Sequence, residues 1–359
     1  MSFDILCNDM KRLLIEYCDL ETLGRLSQVS KETRRIVSND KEDLRERYVE
    51  NMREGKSWEN MFLCLCNSGG PIVVMRYLLF VKKVDPSSNT DFAIKTASEK
   101  GYVDFVKELL GDPRVDPSAE SDYAIRWASC NGHVDVVREL LEHEMVNPCA
   151  DNNYPIRFAS SNGHVDVVRE LLKDKRVDPT ENKNYAIRWA SRNGYTEVVR
   201  ELLKDPRVNP NDYQRCAINW AIMNSHIGVL ELLISDKRVI PDMISIKSII
   251  EYGNIEVLKV ILKNNKIDLR GAIQCAIKTE DVEIIKLLLS DPRVDPSEDS
   301  NISIQLASEK GNFEIVWLLL SDPRVDPSAN DNYAIKCANK YRHMKIVDLL
   351  LSDPRVDYF

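Results

Sequence analysis

The chain repeats one phrase of 31 residues, and this repetition restricts its fold more than any other feature. Residues 122–148 read DYAIRWASCNGHVDVVRELLEHEMVNP, and residues 153–179 and 184–210 repeat the phrase almost letter for letter. A segment of this length cannot bury its apolar face alone. A fixed period of this size therefore indicates repeats that stack and share one elongated core.

Ten copies of the phrase account for most of the 359 residues. The dipeptide that opens each repeat recurs every 31 residues from position 93 to 217, shortens its spacing at 245 and 272, and resumes at 303 and 334. One step back from position 93 reaches Phe62, followed by the expected Gly70. We therefore predict repeats over residues 61–359. Irregular repeats at about 217–271 represent either sequence drift or a bend shaped for a partner.

Each repeat is predicted to contain two helices. AIRWAS supplies about two turns of helix before Asn-Gly breaks the chain. HVDVVRELL spaces its apolar residues for a helix that packs on more than one side. The Asp-Pro of DPRVDPS then ends the second helix, because proline has no N–H with which to continue it. The expected architecture is an all-α, curved solenoid of helix–turn–helix repeats.

The repeat resembles an ankyrin repeat, whose core reads TPLHLAAxxGHxxVVxxLL. The residues that match this core directly are Ala128, Gly132, His133, Val136, Val137, Leu140 and Leu141. The DPRVDPS loop resembles that of ankyrin proteins of giant DNA viruses of amoebae. The resemblance implies a concave surface, formed by the first helices and the loop tips, on which an unidentified target protein would bind.

Residues 1–50 do not follow the 31-residue frame and are predicted to form short helices, with 51–60 as a linker. Their LxxLxxLxxVSKxxR core resembles an F-box, the motif by which adaptors bind the Skp-family linker of a cullin–RING ubiquitin ligase. This resemblance assigns linker binding to Leu6, Leu13, Leu14, Leu20, Leu23, Leu26, Val29 and Arg34. The alternative is a helical cap over the first repeat, since the terminal repeats of a solenoid need a polar outer face.

Basic and amide side chains recur on and beside the predicted first helices. The candidate partner-binding residues are Lys95, Arg126, Asn131, Arg157, Asn162, Arg188, Arg192 and Asn193. The basic members are explained either by ion pairs with acidic loop residues such as Asp122, Asp151 and Glu181, or by a charged strip for an acidic or polar partner. Trp317, which replaces an arginine of the second helix, is added as a candidate contact hot spot.

Three tryptophans share one position of the first helix, namely Trp127, Trp189 and Trp220. Aromatic side chains make large packing contributions, so the column is explained by packing between repeats or by a ladder for an aromatic ligand.

Four histidines also share a position, about 10 Å apart from repeat to repeat. Zinc ligands converge within about 2 Å of one ion, so we expect no metal site.

Composition and motifs exclude several classes of function. The net charge of −8 argues against a nucleic-acid partner, and no apolar run approaches the length of a membrane span. Nine scattered cysteines indicate a reducing compartment. Motifs for phosphate binding, a nucleophilic serine or a zinc protease are absent, so we expect no enzyme activity and no cofactor.

The sequence thus predicts a monomeric adaptor in the cytoplasm, with the nucleus as a second location. It would hold a target protein on its ankyrin repeats and bind the Skp-family linker and cullin of a ubiquitin ligase through its N-terminal segment. The alternative is an ankyrin scaffold or decoy that sequesters a partner protein without a ligase.

Overall fold

A computed structural model describes residues 57–70, 72–239, 246–251, 254–264 and 267–356. These residues contain twenty α-helices and no strand, so the all-α prediction is confirmed. The predicted linker-binding residues Leu6, Leu13, Leu14, Leu20, Leu23, Leu26, Val29 and Arg34 lie outside the described residues. The predicted linker at 51–60 overlaps the first helix, which begins at Trp58 with the Ser57 hydroxyl as its N-cap.

The helices alternate between a first and a second helix of each repeat. The first helices are α1 (Trp58–Ser68), α3 (Ser88–Lys100), α5 (Ala119–Cys130), α7 (Ala150–Ser161), α9 (Glu181–Arg192), α11 (Asp212–Met223), α13 (Ile246–Glu251), α15 (Ala272–Thr279), α17 (Glu298–Lys310) and α19 (Ala329–Lys340). The second helices are α2 (Ile72–Arg76, continued by a π-helical turn at Tyr77–Val81), α4 (Val103–Leu110), α6 (Val134–Leu141), α8 (Val165–Leu171), α10 (Thr196–Lys204), α12 (Ile227–Ser235), α14 (Ile255–Leu262), α16 (Val282–Leu289), α18 (Phe313–Leu320) and α20 (Met344–Leu351).

The described residues divide into two compact units. One runs to Pro155 and includes Glu170–Val177, and the other comprises Ile156–Arg169 and the chain from Asp178 onward. In the first unit, α3 packs between α1 and α5, and α4 packs on α6. In the second unit, α9 packs on α11, α13 to α19 pack in sequence order, and α10 to α20 form a continuous row of second helices.

The same apolar positions fill the core in every repeat. In one repeat, Ala124, Ile125 and Ala128 of the first helix are fully buried. Val137 and Leu140 of the second helix meet them and are equally buried. Each large aliphatic side chain contributes about 1.5–3 kcal/mol on complete burial, whereas alanine mainly lets neighbouring helices approach closely. Each helix is short, so its stability comes from this packing.

In several repeats the turn between the two helices contains a left-handed glycine that is covered by an aromatic ring. Gly194 has φ +78°, and a Cβ there would lie 2.6 Å from Nδ1 of His226 in the next repeat. Nε2 of the same ring lies 2.8 Å from the carbonyl oxygen of Arg192 and donates to it. His133 binds the carbonyl of Glu99 in the same way, at 2.9 Å. The histidine column therefore fastens one repeat to the preceding one.

Seven of the loops that follow a second helix are built around an Asp-x-Arg sequence. In one such loop, Oδ1 of Asp205 accepts the backbone N–H of Arg207 at 2.9 Å, and the two side chains form an ion pair at 2.7 Å. The side-chain hydrogen bond from Arg207 lowers the pKa of Asp205. The loop keeps this geometry without proline, because Asp236 binds the N–H of Arg238 in the same way. The Asp and Arg of the repeated sequence thus hold the conformation of the loop, in addition to the helix end that proline provides.

The arginine of this loop also reaches back to the preceding repeat. Arg324 donates to the carbonyl of Val294 at 2.7 Å, and Arg355 donates to that of Val325 at 2.8 Å. Arg238 makes three such bonds, to the carbonyls of Leu203, Asp205 and Val208. These oxygens lie at or after the end of a helix, where few helical N–H groups remain to bond them, although the carbonyl of Asp205 also accepts the N–H of Val208. The arginine column is therefore a second fastening between repeats.

We predict that Arg238→Ala lowers the stability of the chain by about 1–3 kcal/mol, because it removes a charged donor from three backbone carbonyls. Arg270→Ala is the matched control, since Arg270 bonds its own Asp268 and is 82% exposed. Urea unfolding followed by circular dichroism should show a lower midpoint for the first variant and an unchanged midpoint for the second. Equal midpoints for both variants would contradict the fastening role.

Candidate functional site: the first-helix face and its loops

Six of the described first helices contain a short left-handed turn within their first four residues, at the loop tip. Glu120, Ser121 and Asp122 have φ values of +53°, +58° and +59°. The same conformation occurs at 89–91, 151–153, 182–184, 299–301 and 330–332. Each L-residue in this region costs roughly 1–2 kcal/mol relative to the right-handed region. Contacts from elsewhere in the fold must therefore hold the turn.

The third residue of each left-handed turn provides one such contact. It is always Asp or Asn in these six loops, the side chains that tolerate this conformation best. In four of the six turns its side-chain oxygen accepts a backbone N–H 25 residues later, in the next loop. Asp91, Asp122, Asn184 and Asn301 bind the N–H groups of Asp116, Asn147, Asn209 and Asp326 at 2.7–2.9 Å. The role of this column was not predicted from the sequence, although Asp or Asn recurs there with the period of the repeat.

The predicted basic column supplies the second contact. Nε of Arg126 donates to the carbonyl of Ser121 at 2.8 Å, and Nη2 donates to that of Glu120 at 2.9 Å. Arg188 repeats the pattern on the carbonyls of Lys183 and Asn182, at 2.8 and 3.0 Å. The arginines thus satisfy carbonyl groups that the left-handed turn directs toward the first helix.

Ion pairs account for part of the basic column. Lys95 pairs with Glu120 at 2.6 Å, and Arg126 with Asp151 at 3.5 Å. The expected role of Asp122 in such a pair is wrong. Its carboxylate is buried and is bonded to the N–H of Asn147 instead.

The turn-side asparagines are engaged within the fold. The amide of Asn131 donates to the carbonyl of Glu99 at 2.9 Å, and that of Asn193 to the carbonyl of Ser161 at 2.8 Å. The side-chain oxygen of Asn162 lies 3.3 Å from the Ser161 hydroxyl. Their proposed contact with a partner stays a prediction.

Aromatic and basic side chains form one cluster on α9 and α11. The rings of Tyr185 and Trp189 stack at 5.4 Å between centroids, and Trp189 lies 5.6 Å from Trp220. The guanidinium of Arg192 lies 4.6 Å from the Trp189 ring and 5.4 Å from Trp220. Arg157 is placed similarly, 5.3 Å from Tyr185. The tryptophans are half-buried, so they pack between repeats and still present an edge to solvent.

A model of ankyrin repeats matches the chain in three copies, over residues 94–183, 176–242 and 243–331. The chain belongs to the ankyrin-repeat family. A model of the F-box domain matches residues 3–45. No curated protein matches the chain. Both domains are protein-interaction modules, and their presence confirms the two-part organisation predicted from the sequence.

Two features of the ankyrin repeats lie on the second helices. Trp317 is 52% exposed on α18, beside Phe313 at 46%, so it does not share the first-helix face with the other candidate residues. A groove of about 530 Å³ lies along α12, α14 and α16, and its lining includes Ile227, Lys259 and Leu287. The groove falls in and next to the segment that was predicted to be irregular.

The described residues include a deeply buried thiol and no candidate metal site. Burial raises the pKa of the Cys66 thiol to about 12, so the thiolate is scarce near neutral pH. Among the described residues, no cluster of His, Cys, Asp and Glu could hold a metal ion. None of the described helices is long and apolar enough to cross a membrane.

The buried Asp122 yields a pH-dependent prediction. Burial raises its folded-state pKa above the unfolded value, so the charged carboxylate costs stability once the pH exceeds both values. Asp122→Asn keeps the oxygen that accepts the Asn147 N–H and removes that charge. We expect its stability relative to the parent chain to increase as the pH rises from about 3 to 7.

Urea midpoints measured at several pH values provide the test. Asp135→Asn is the control, because Asp135 is an exposed carboxylate on α6 that pairs with Arg138. If the stability of Asp122→Asn relative to the parent chain does not change with pH, or decreases as the pH rises, the buried carboxylate does not destabilise the parent chain as predicted.

Proposed function

We propose that the chain is a substrate receptor of a cullin–RING ubiquitin ligase. The observation that carries the proposal is the presence of an F-box domain at residues 3–45 and ankyrin repeats on the same chain. The F-box would bind the Skp-family linker, and through it the cullin, while the ankyrin repeats hold a target protein. Ubiquitin transfer would belong to the ligase partners, and the chain itself would catalyse no step.

The mechanism is proximity. One chain that binds the ligase and the target at once makes the second encounter intramolecular, which raises the effective concentration of target at the ligase. The hydrogen bonds between neighbouring repeats support this role, because a preorganised binding surface loses little conformational entropy when it binds a partner.

The proposal has three further parts. The target would bind the first-helix face and its loop tips, with the chain acting as a monomer in the cytoplasm or nucleus and without nucleic acid. The domain boundaries would be 1–50 for the F-box domain, 51–60 for a linker and 61–359 for the repeats, with α1 beginning slightly earlier, at Trp58. The resemblance of the DPRVDPS loops to viral ankyrin proteins extends the proposal to a viral adaptor that acts in the host cell.

The decisive variant is the double change Leu23→Asp with Val29→Asp in the full chain. Two charges in an apolar interface cost several kcal/mol, so we expect recovery of the Skp-family linker and the cullin to fall at least about tenfold. Pull-down from a eukaryotic lysate, with immunoblots for both proteins, measures the loss. The matched control is Val81→Asp with Leu351→Asp, at positions that are 57% and 49% exposed on the repeats.

Three results would count against the receptor. If the parent chain, shown to be helical and to melt cooperatively, recovers neither protein, it is a scaffold or decoy without a ligase. If the parent and the Leu23/Val29 variant recover both equally, the F-box residues named here do not bind the linker. If the control variant also loses recovery, the effect comes from added charge alone.

A further inference from the structure

Two arginines of α9 carry charge that no carboxylate of the described residues neutralises. Arg188 is 7% exposed, and Arg192 is exposed. Among the described residues, neither guanidinium has a carboxylate within ion-pair distance. Arg188 is bonded to the carbonyls of Lys183 and Asn182. Within the described part of the chain, the Arg192 side chain makes ring contacts and no hydrogen bond.

The repeat frame shows how this charge came to be unpaired. The carboxylate that pairs with Lys95 is Glu120, and the one that pairs with Arg126 is Asp151, each 25 residues later. The residue 25 positions after Arg188 is Tyr213. Its ring lies 4.7 Å from the guanidinium and is 50% exposed. A ring face attracts a cation, but it supplies no negative charge.

The aromatic rings around the two arginines favour one chemical class of anion as the binding partner of their guanidinium groups. The guanidinium of Arg188 also lies 5.9 Å from Trp220, and that of Arg192 lies over both Trp189 and Trp220. A guanidinium stacked on a ring keeps its N–H groups in the plane of the fork, where they match the two oxygens of a carboxylate. The rings also displace water, which strengthens an ion pair formed between them.

We propose that Arg188, Trp189, Arg192, Tyr213 and Trp220 form a carboxylate-binding site, here called the Arg-Trp site, for an extended acidic segment of the target protein. The inference rests on the proposed target-binding role of the ankyrin repeats and adds the chemical class of the target. An aspartate or glutamate enters between the two arginines, and the neighbouring residues of the segment lie against the tryptophan edges.

A protein segment fits this site better than a nucleic acid does. A phosphodiester chain needs a row of cations that follows successive phosphates. The Arg-Trp site contains two guanidinium groups, in a chain of net charge −8. Asp212 and Glu181 flank it, at the first positions of α11 and α9. One or two carboxylates among apolar side chains match this arrangement.

The test measures binding of a labelled peptide to the purified full chain. The probe is a ten-residue peptide of alternating glutamate and proline, which stays extended because of its prolines. The matched probe replaces each glutamate with glutamine. Fluorescence anisotropy at low ionic strength should show tighter binding of the glutamate peptide, and added salt should weaken that binding.

Arg192→Ala is the principal variant, because Arg192 is exposed and its loss should not unfold the chain. A charged hydrogen bond to a carboxylate contributes enough that we expect about a tenfold loss of affinity. Arg200→Ala is the matched control, since Arg200 belongs to the same repeat but pairs with Glu197 on the second helix. It should bind like the parent chain.

Trp220→Leu tests the contribution of the Trp220 ring to the Arg-Trp site. Leucine occupies this position in other repeats, at Leu65 and Leu306, so the packing between repeats is preserved. We expect an affinity loss of about three- to tenfold, since leucine offers no ring face for a cation–π contact. Circular dichroism confirms that each variant is folded before its affinity is compared.

Several outcomes would overturn the Arg-Trp site. Equal binding of the glutamate and glutamine peptides would do so, as would an Arg192→Ala variant that binds like the parent. Tighter binding of a single-stranded oligonucleotide, lost in Arg192→Ala, would assign the site to phosphates instead. No ligase component is present, so the Leu23/Val29 variant should bind the peptide normally. A failure of ligase recovery and a failure of peptide binding are therefore distinguishable.

Discussion

The structure depends on hydrogen bonds that join a side chain of one repeat to the backbone of a neighbouring repeat. Three kinds recur at fixed separations. An Asp or Asn at the loop tip accepts an N–H 25 residues later, as Asn184 does from Asn209. A loop arginine donates to a carbonyl 30 residues earlier, as Arg324 does to Val294. A histidine ring donates to a carbonyl 34 residues earlier, as His226 does to Arg192. Together they satisfy backbone groups that short helices leave unpaired.

These fastenings explain why the loop phrase is copied more faithfully than packing alone would require. An apolar core accepts many aliphatic residues of similar volume. A side chain that must bond a carbonyl 30 residues away accepts few replacements. Asp236 and Arg238 persist where the intervening proline is replaced by Lys237, because the carboxylate and guanidinium hold the loop while proline only ends a helix. Positions outside the fastenings, such as that of Arg192, are free to vary from repeat to repeat.

The helix pairs could be predicted because their signals are local. Apolar spacing, Asn-Gly and Asp-Pro each act within a few residues, and the resulting ten repeats match the twenty described helices. The left-handed turns could not be predicted, because Glu120 and Ser121 are ordinary residues whose conformation is imposed by Arg126 and by the next loop. For the same reason, Asp122 looked like an exposed partner of a cation. Its carboxylate turns inward only because the N–H of Asn147 is there to meet it.

The arginines of the basic column have two roles: they hold the left-handed turns of the repeats, and they supply the charge of the candidate site. Arg126 and Arg188 each bond carbonyls of the left-handed turn in their own first helix, so their charge cannot be removed at low cost. Where the carboxylate 25 residues later is present, as Asp151 is for Arg126, that charge is neutralised within the fold. Where the carboxylate gives way to Tyr213, the fold keeps the cation and leaves its neutralisation to a partner. A repeat protein of this design can thus acquire a charged binding site by changing one loop residue, without altering the frame that positions it.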